Sequence, residues 1–156
     1  MKLTNATEQA LAIMAMLATQ TKDIPASSRA IYEKLTVSPS YVKKLLRKLV
    51  VSKIISGVSG ANGGFYIERN LEEISLLEIV ESIEGPFRSF PHVGVLEQAF
   101  SDFTDIAESS ENVIESFFSQ ADKAWDAALQ DITVKDILDR VFIDYQTQPT
   151  RDWNIE

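Results

Sequence analysis

The stretch from Ser38 to Ser52 constrains this chain more than any other. Val42, Leu45, Leu46 and Leu49 stand at i, i+3, i+4 and i+7, the spacing of a single apolar stripe on an α-helix. Ser38-Pro39 supplies an N-cap and a proline for the first helical position. The rest of the surface of that helix carries Ser40, Tyr41, Lys43, Lys44, Arg47 and Lys48. Such a helix buries one side in a core and leaves four cations facing water or a polyanion. Immediately upstream, Ser27 or Ser28 opens a shorter helix with Ile31 and Leu35 inward, and Thr36-Val37 makes a tight turn between the two. Two short helices, a turn, and a basic outer face on the second form the arrangement that places a helix in a DNA major groove.

The flanking sequence supplies a frame for this pair. A first helix runs from about Ala6 to Ala18, with Asn5 and Glu8 as a capping-box pair. After the basic helix, Ile54-Ile55 and Phe65-Tyr66-Ile67 read as short strands around Gly57, Gly60, Gly63 and Gly64, with Asn62 also tolerant of positive φ. A phosphate-cradling loop needs a lysine and a hydroxyl residue opening a helix after its glycines, and here a β-like Phe-Tyr-Ile follows. The hairpin, about 53–67, is therefore a wing rather than a nucleotide site. Ser75 and Glu78 form a second capping box between the staple pair Ile74 and Ile79, and Gly85-Pro86 stops that helix.

Beyond Gly85 the pattern changes. Residues 87–93 are irregular, a helix covers Val95 to about Phe103, and a longer one covers about Glu108 to Gln130. Val113, Phe117, Ala121 and Trp125 form the inward stripe of the longer helix. Thr133 and Asp136 cap a last helix, and residues 147–156 read as a frayed tail. These helices are too few to enclose a core of their own, so their stripe packs either on the first domain or on a second copy of the chain.

Charge divides the same way. Residues 1–69 hold ten Lys/Arg against four Asp/Glu, and residues 70–156 hold five against nineteen. A basic half joined to an acidic half suits a protein that meets polyanion with one part only. The chain has no cysteine, which excludes disulfides, thiolate nucleophiles and cysteine-ligated zinc or iron–sulfur clusters. Its one histidine, His92, sits beside a proline in a loop. No apolar run reaches the roughly 18 residues of a membrane span, and the expected location is the cytoplasm. The carboxylates of the second half lie scattered at helical spacing, as on a solvated face, and none forms a readable catalytic pair.

The run from Ser38-Pro39-Ser40-Tyr41 through Lys43-Lys44-Leu45-Leu46, the Gly60-Ala61-Asn62-Gly63-Gly64-Phe65 segment, Ile74-Ser75-Leu76-Leu77-Glu78-Ile79-Val80 and Ile83-Glu84-Gly85 resembles the Rrf2-type winged-helix regulators. The resemblance implies that Ser40 and Tyr41 sit at base- and phosphate-contacting positions, extended by Lys43, Lys44, Arg47 and Lys48. It also implies that the long helix dimerises. Two departures stand out: Ser59 occupies a wing position where many relatives carry arginine, and the three cysteines of cluster-binding relatives, expected between Phe87 and Asp105, are absent.

The expected fold is mainly α with a small β-hairpin wing. Residues 1–85 form a winged helix-turn-helix domain with its helix-turn-helix at about 27–51, residues 86–146 a helical dimerisation region, and 147–156 a tail. The expected function is a homodimeric, DNA-binding transcriptional repressor without cofactor or metal, with any effector left open. Its DNA-facing residues are Ser28, Ser38, Ser40, Tyr41, Lys43, Lys44, Arg47, Lys48, Ser59, Asn62 and Gly63. Its dimerisation residues are Val113, Phe117, Ala121 and Trp125. The alternative is an interaction adaptor on a winged helix that no longer binds DNA, for which four cations on one helix face serve no purpose.

Overall fold

The computed structural model describes residues 2–91, 93–145 and 147–155, with the backbone alone for 104–111, so His92 lies outside the described residues. Its elements are α1 (Asn5–Ala18), α2 (Ser28–Leu35), α3 (Pro39–Val51), strands β1 (Ser56–Val58) and β2 (Gly64–Tyr66), a 3-10 turn at Leu71–Glu73, α4 (Leu76–Glu84), α5 (Val95–Ala99), α6 (Thr104–Gln130) and α7 (Val134–Val141). They form two compact units, one of residues 1–85 together with 130–156 and the other of residues 86–129.

The first unit is built around α3. Val42, Leu45, Leu46 and Leu49 are all buried, in a cluster shared with Ile13 and Met14 of α1, Ile31 of α2, and Ile79 and Ile83 of α4. Each fully buried aliphatic side chain contributes roughly 1.5–3 kcal/mol relative to exposure, so four on one stripe fix which way α3 faces. The two helices of the turn end alike. Thr36 and Lys53 take left-handed conformations, with φ of 53° and 57°. The amides of Val37 and Ile54 then reach back to the carbonyls of Tyr32 and Leu49, at 3.2 and 3.0 Å. This is the Schellman closure, usually made with glycine. It corrects the expected strand at Ile54-Ile55: both isoleucines are buried in the core, and the pairing strand begins only at Ser56. The hairpin is antiparallel, with Ser56 opposite Tyr66 and Val58 opposite Gly64, and Ala26 adds a bridge to Phe65 on its other side.

A single carboxylate ties the start of α1 to the end of α4. The cap of α1 is Thr4, one residue before the expected Asn5. The partner of that cap is not Glu8 but Glu84, at the far end of α4: its Oε1 accepts from Thr4 N (3.0 Å), Thr4 Oγ1 (2.6 Å) and Thr7 Oγ1 (2.5 Å). A carboxylate at a helix N-terminus also meets the positive end of the helix dipole. Ser75 and Glu78, by contrast, form the expected capping box on α4, and Thr133 with Asp136 does the same on α7.

Residues 130–156 differ from the expected dimerisation region and tail. Val134 and Leu138 of α7 are buried in the first unit's core. The backbone around Ser75 pairs with Thr133, through Leu76 N to Ile132 O at 2.8 Å and Val134 N to Ile74 O at 2.9 Å. The segment that follows is tied to the end of α1 as well: Gln148 Nε2 donates to Ala18 O at 2.9 Å, and Asp152 Oδ1 accepts from Gln20 Nε2 at 3.0 Å. Their anchoring comes from tertiary contacts that no local pattern announces.

In the second unit, residues 87–90 run along α6. Phe90 stacks on Phe118 (5.3 Å between centroids), Phe87 packs on Trp125 (5.4 Å), and between them Ser89 N donates to buried Asp122 Oδ2 at 3.1 Å. The helix expected to reach Phe103 ends at Ala99, and α6 starts at Thr104 rather than Glu108. Ser101 and Asp102 separate them, residue types that favour turns over helix interiors.

The hydroxyls of Thr4 and Thr7, reinforced by the charge of Lys48, hold the Glu84 carboxyl below the usual glutamate range. A depressed folded-state value means stability that is present above the unfolded pKa, about 4.3, and lost as pH falls through the folded value. Glu84→Gln is expected to lower the melting temperature at pH 7. The gap to the parent should narrow as the pH falls through the lowered folded-state value of the carboxyl, in a thermal-melt series read by circular dichroism.

Candidate nucleic-acid interface

With its stripe buried, α3 leaves Ser40, Lys43, Lys44 and Arg47 exposed. None of these three cations forms an ion pair among the described residues, where the ion pairs are Arg29–Glu33, Arg69–Glu78 and Lys135–Asp139. The N-terminal end of the helix is equally open to an anion. Pro39 has no N–H, the first turn holds no acidic residue, and the N-cap Ser38 makes no side-chain capping bond to a backbone amide. Its Oγ lies 3.4 Å from Ser40 Oγ instead.

Two expected members of this face are placed differently. Lys48 is half-buried, and its Nζ donates to the carbonyl of Ile83 in the last turn of α4. The carbonyls ending a helix lack partners and carry partial negative charge, so this cation is taken up by the scaffold and leaves the exposed set. Tyr41 is half-buried too, packed against the core cluster, one turn before Leu45. Only part of its ring is offered outward.

Around α3 stand α2 and the wing. Ser27, not Ser28, caps α2, its hydroxyl accepting from Ala30 N at 3.1 Å. Ser28 opens the helix, half-buried. At the wing tip, Ser59 and Asn62 are exposed. Gly63 has a backbone reason to be glycine: a Cβ there would lie 2.4 Å from Val58 O and 2.9 Å from Gly60 O. Gly64 is just as confined, with Ala26 O 2.4 Å from where its Cβ would be.

The model of the Rrf2 family, described as an iron-dependent transcriptional regulator, matches residues 3–140. The chain belongs to the Rrf2 family. It is a DNA-binding transcriptional regulator with a winged helix-turn-helix. YwgB of Bacillus subtilis (strain 168), named as an HTH-type transcriptional regulator, is 28% identical over 156 residues, 100% of this chain and 96% of its own length. YffB of Lactococcus lactis subsp. lactis, named likewise, is 27% identical over 153 residues, covering 98% and 97%. The fold is shared with CymR (YrzC), the global cysteine regulator of B. subtilis, at a TM-score of 0.59 and 20% identity over 88% of this chain and 95% of that one. It is shared also with T. potens IscR, at a TM-score of 0.65 and 22% identity over 95% and 93%.

The residues present do not fit a cysteine-ligated form of the iron that the family's description names. The sequence contains no thiolate donor. Among the described residues, no three His, Asp or Glu side chains come together as a metal site.

Lys48 and Lys43 are expected to separate cleanly in thermal melts. Lys48→Ala leaves the last turn of α4 without its cation, so the melting temperature should drop by about 2–4 °C. Lys43→Ala touches an exposed, unpaired side chain and should leave it within about 1 °C.

Proposed function

We propose that this Rrf2 protein is a cytoplasmic homodimer that represses transcription by occupying its operator, with no catalytic activity and no iron–sulfur cluster. The observation carrying this reading is the set of exposed cations Lys43, Lys44 and Arg47, unpaired among the described residues, on the outer face of α3. In this reading α3 enters the major groove. Ser40 and the exposed edge of Tyr41 meet base edges, and the three cations meet phosphates. Ser28 at the start of α2, Ser38, and Ser59 and Asn62 on the wing lie along the backbone. Ser59 has no charge with which to exploit the negative potential of a narrow minor groove. Lys48 is left out.

A two-fold operator needs two copies, and α6 offers the surface for it. Val113 and Phe117 are 52% and 65% exposed, and with exposed Ala121, Ala124 and Ala128 they follow one face of the helix. Trp125 belongs to the neighbouring face, where Phe87 already packs on it. An exposed apolar stripe continued by small residues suits the close approach of a second copy, and a two-fold contact uses the stripe twice.

Two dimer-related sets of three cations should neutralise on the order of six phosphates, giving a slope near −5 for log affinity against log salt. Lys43→Ala, lost twice per dimer, should make that slope shallower by about two. A flat slope in fluorescence-anisotropy titrations of duplex DNA would remove this docking. For the dimer, Phe117→Ala should raise the dissociation constant at least about a hundredfold, since truncating a buried aromatic costs roughly 3–5 kcal/mol. Trp125→Ala should have the smaller effect. Analytical ultracentrifugation of the two variants decides between the faces.

A further inference from the structure

The segment after α7 lies beyond the family match, which ends at residue 140, and yet it grips the entrance of the helix-turn-helix. Arg151 exchanges backbone bonds with the end of α1 and the loop after it: its N donates to Thr19 O and its O accepts from Thr21 N, both at 2.9 Å. Trp153 N donates to Gln20 Oε1 at 2.9 Å, and its indole Nε1 donates to Thr19 Oγ1 at 3.1 Å. Arg151 and Lys34 both stand over the indole ring, 4.6 and 5.8 Å from its centroid, within range of a cation–π attraction. Trp153 is thus the anchor.

Asn154 uses that anchor to reach the DNA-facing elements. Its Nδ2 donates to Pro25 O at 3.0 Å, and its Oδ1 accepts from Ser27 N at 2.8 Å. Ala26, between those two residues, is held from elsewhere. It exchanges backbone bonds with Phe65 of the wing, Ala26 N to Phe65 O at 3.0 Å and Phe65 N to Ala26 O at 2.8 Å. Ser27 in turn caps α2. One carboxamide therefore spans the three residues in which the start of α2 is joined to the base of the wing.

We propose that the Trp153–Asn154 clasp is a positioning device for DNA binding. It holds the first turn of α2 and the wing in one fixed relation, so that both meet the phosphate backbone together. Contacts fixed before binding cost no ordering entropy at binding, and a hinge at Pro25–Ser27 would lose that benefit for two elements at once. Asn154 touches no nucleic acid in this scheme; it acts through Ser27 and Ala26. The inference rests on the docking proposed above for α2 and the wing.

The test uses the full-length protein and a mixed-sequence duplex of about three helical turns. Asn154→Ala removes one exposed side chain, and Trp153→Phe keeps an aromatic ring, though a smaller one, while removing the indole bond to Thr19. Asn154→Ala should keep its helical circular-dichroism spectrum and its sedimentation behaviour. It should bind the duplex about tenfold more weakly, with a shallower salt slope, because backbone contacts are lost rather than base contacts. Trp153→Phe should fall between it and the parent. If Asn154→Ala only lowers the melting temperature, with affinity and slope unchanged at temperatures where it is folded, the clasp is structural support and the proposal is overturned. Lys43→Ala serves as the control. If it too leaves affinity and slope unchanged, the docking itself fails, and the clasp's role with it.

Discussion

The molecule depends on the burial of one face of α3. Val42, Leu45, Leu46 and Leu49 are inaccessible or nearly so, and the packing that hides them also dictates where everything else on that helix points. Lys43, Lys44 and Arg47 are forced outward because the stripe occupies the inside. Lys48 lies at the edge of the buried side, close enough for its ammonium to find the carbonyl of Ile83. The exposed face of α3 gives no help in holding the helix, and one apolar stripe and one lysine do the holding from behind.

The end of α4 is where that support converges. Ile83 fills the core, its carbonyl takes Lys48, and Glu84 beside it caps α1 through two threonines. Negative oxygens on two consecutive residues, the Ile83 carbonyl and the Glu84 carboxylate, let a single helix terminus meet a lysine from one helix and the positive end of another. The Ile83-Glu84-Gly85 run that the family resemblance singles out has this physical content: Gly85, at φ 85°, turns the chain away immediately after the junction.

Much of this was legible in the residues. Ser75 with Glu78 and Thr133 with Asp136 are capping boxes because the pairing is local, three residues apart, and each needs nothing beyond its own first turn. The stripe of α3 and the glycine-rich turn of the wing are likewise local patterns, periodicity in one case and turn chemistry in the other. The turn at Thr36-Val37 was legible, but the left-handed form of its cap and of the one at Lys53 was not, since a β-branched residue and a lysine are poor signals for it; its cost of roughly 1–2 kcal/mol is offset by the burial that follows. Lys48 looked like its basic neighbours because sequence distinguishes charge but not where a charge finds its partner.

The sequence by itself determined the helix-turn-helix, the basic outer face, the hairpin and the absence of thiolate chemistry, all properties of spacing and composition within short windows. Only the tertiary structure decided that Glu84 rather than Glu8 serves α1, that Lys48 leaves the exposed set, that Phe87 packs on Trp125, and that the segment around Arg151 to Asn154 closes onto α1 and α2. Each of those pairings joins positions far apart in the chain. Their stability comes from hydrogen bonds and burial that exist only once the core has brought the partners together, so no local pattern carries them.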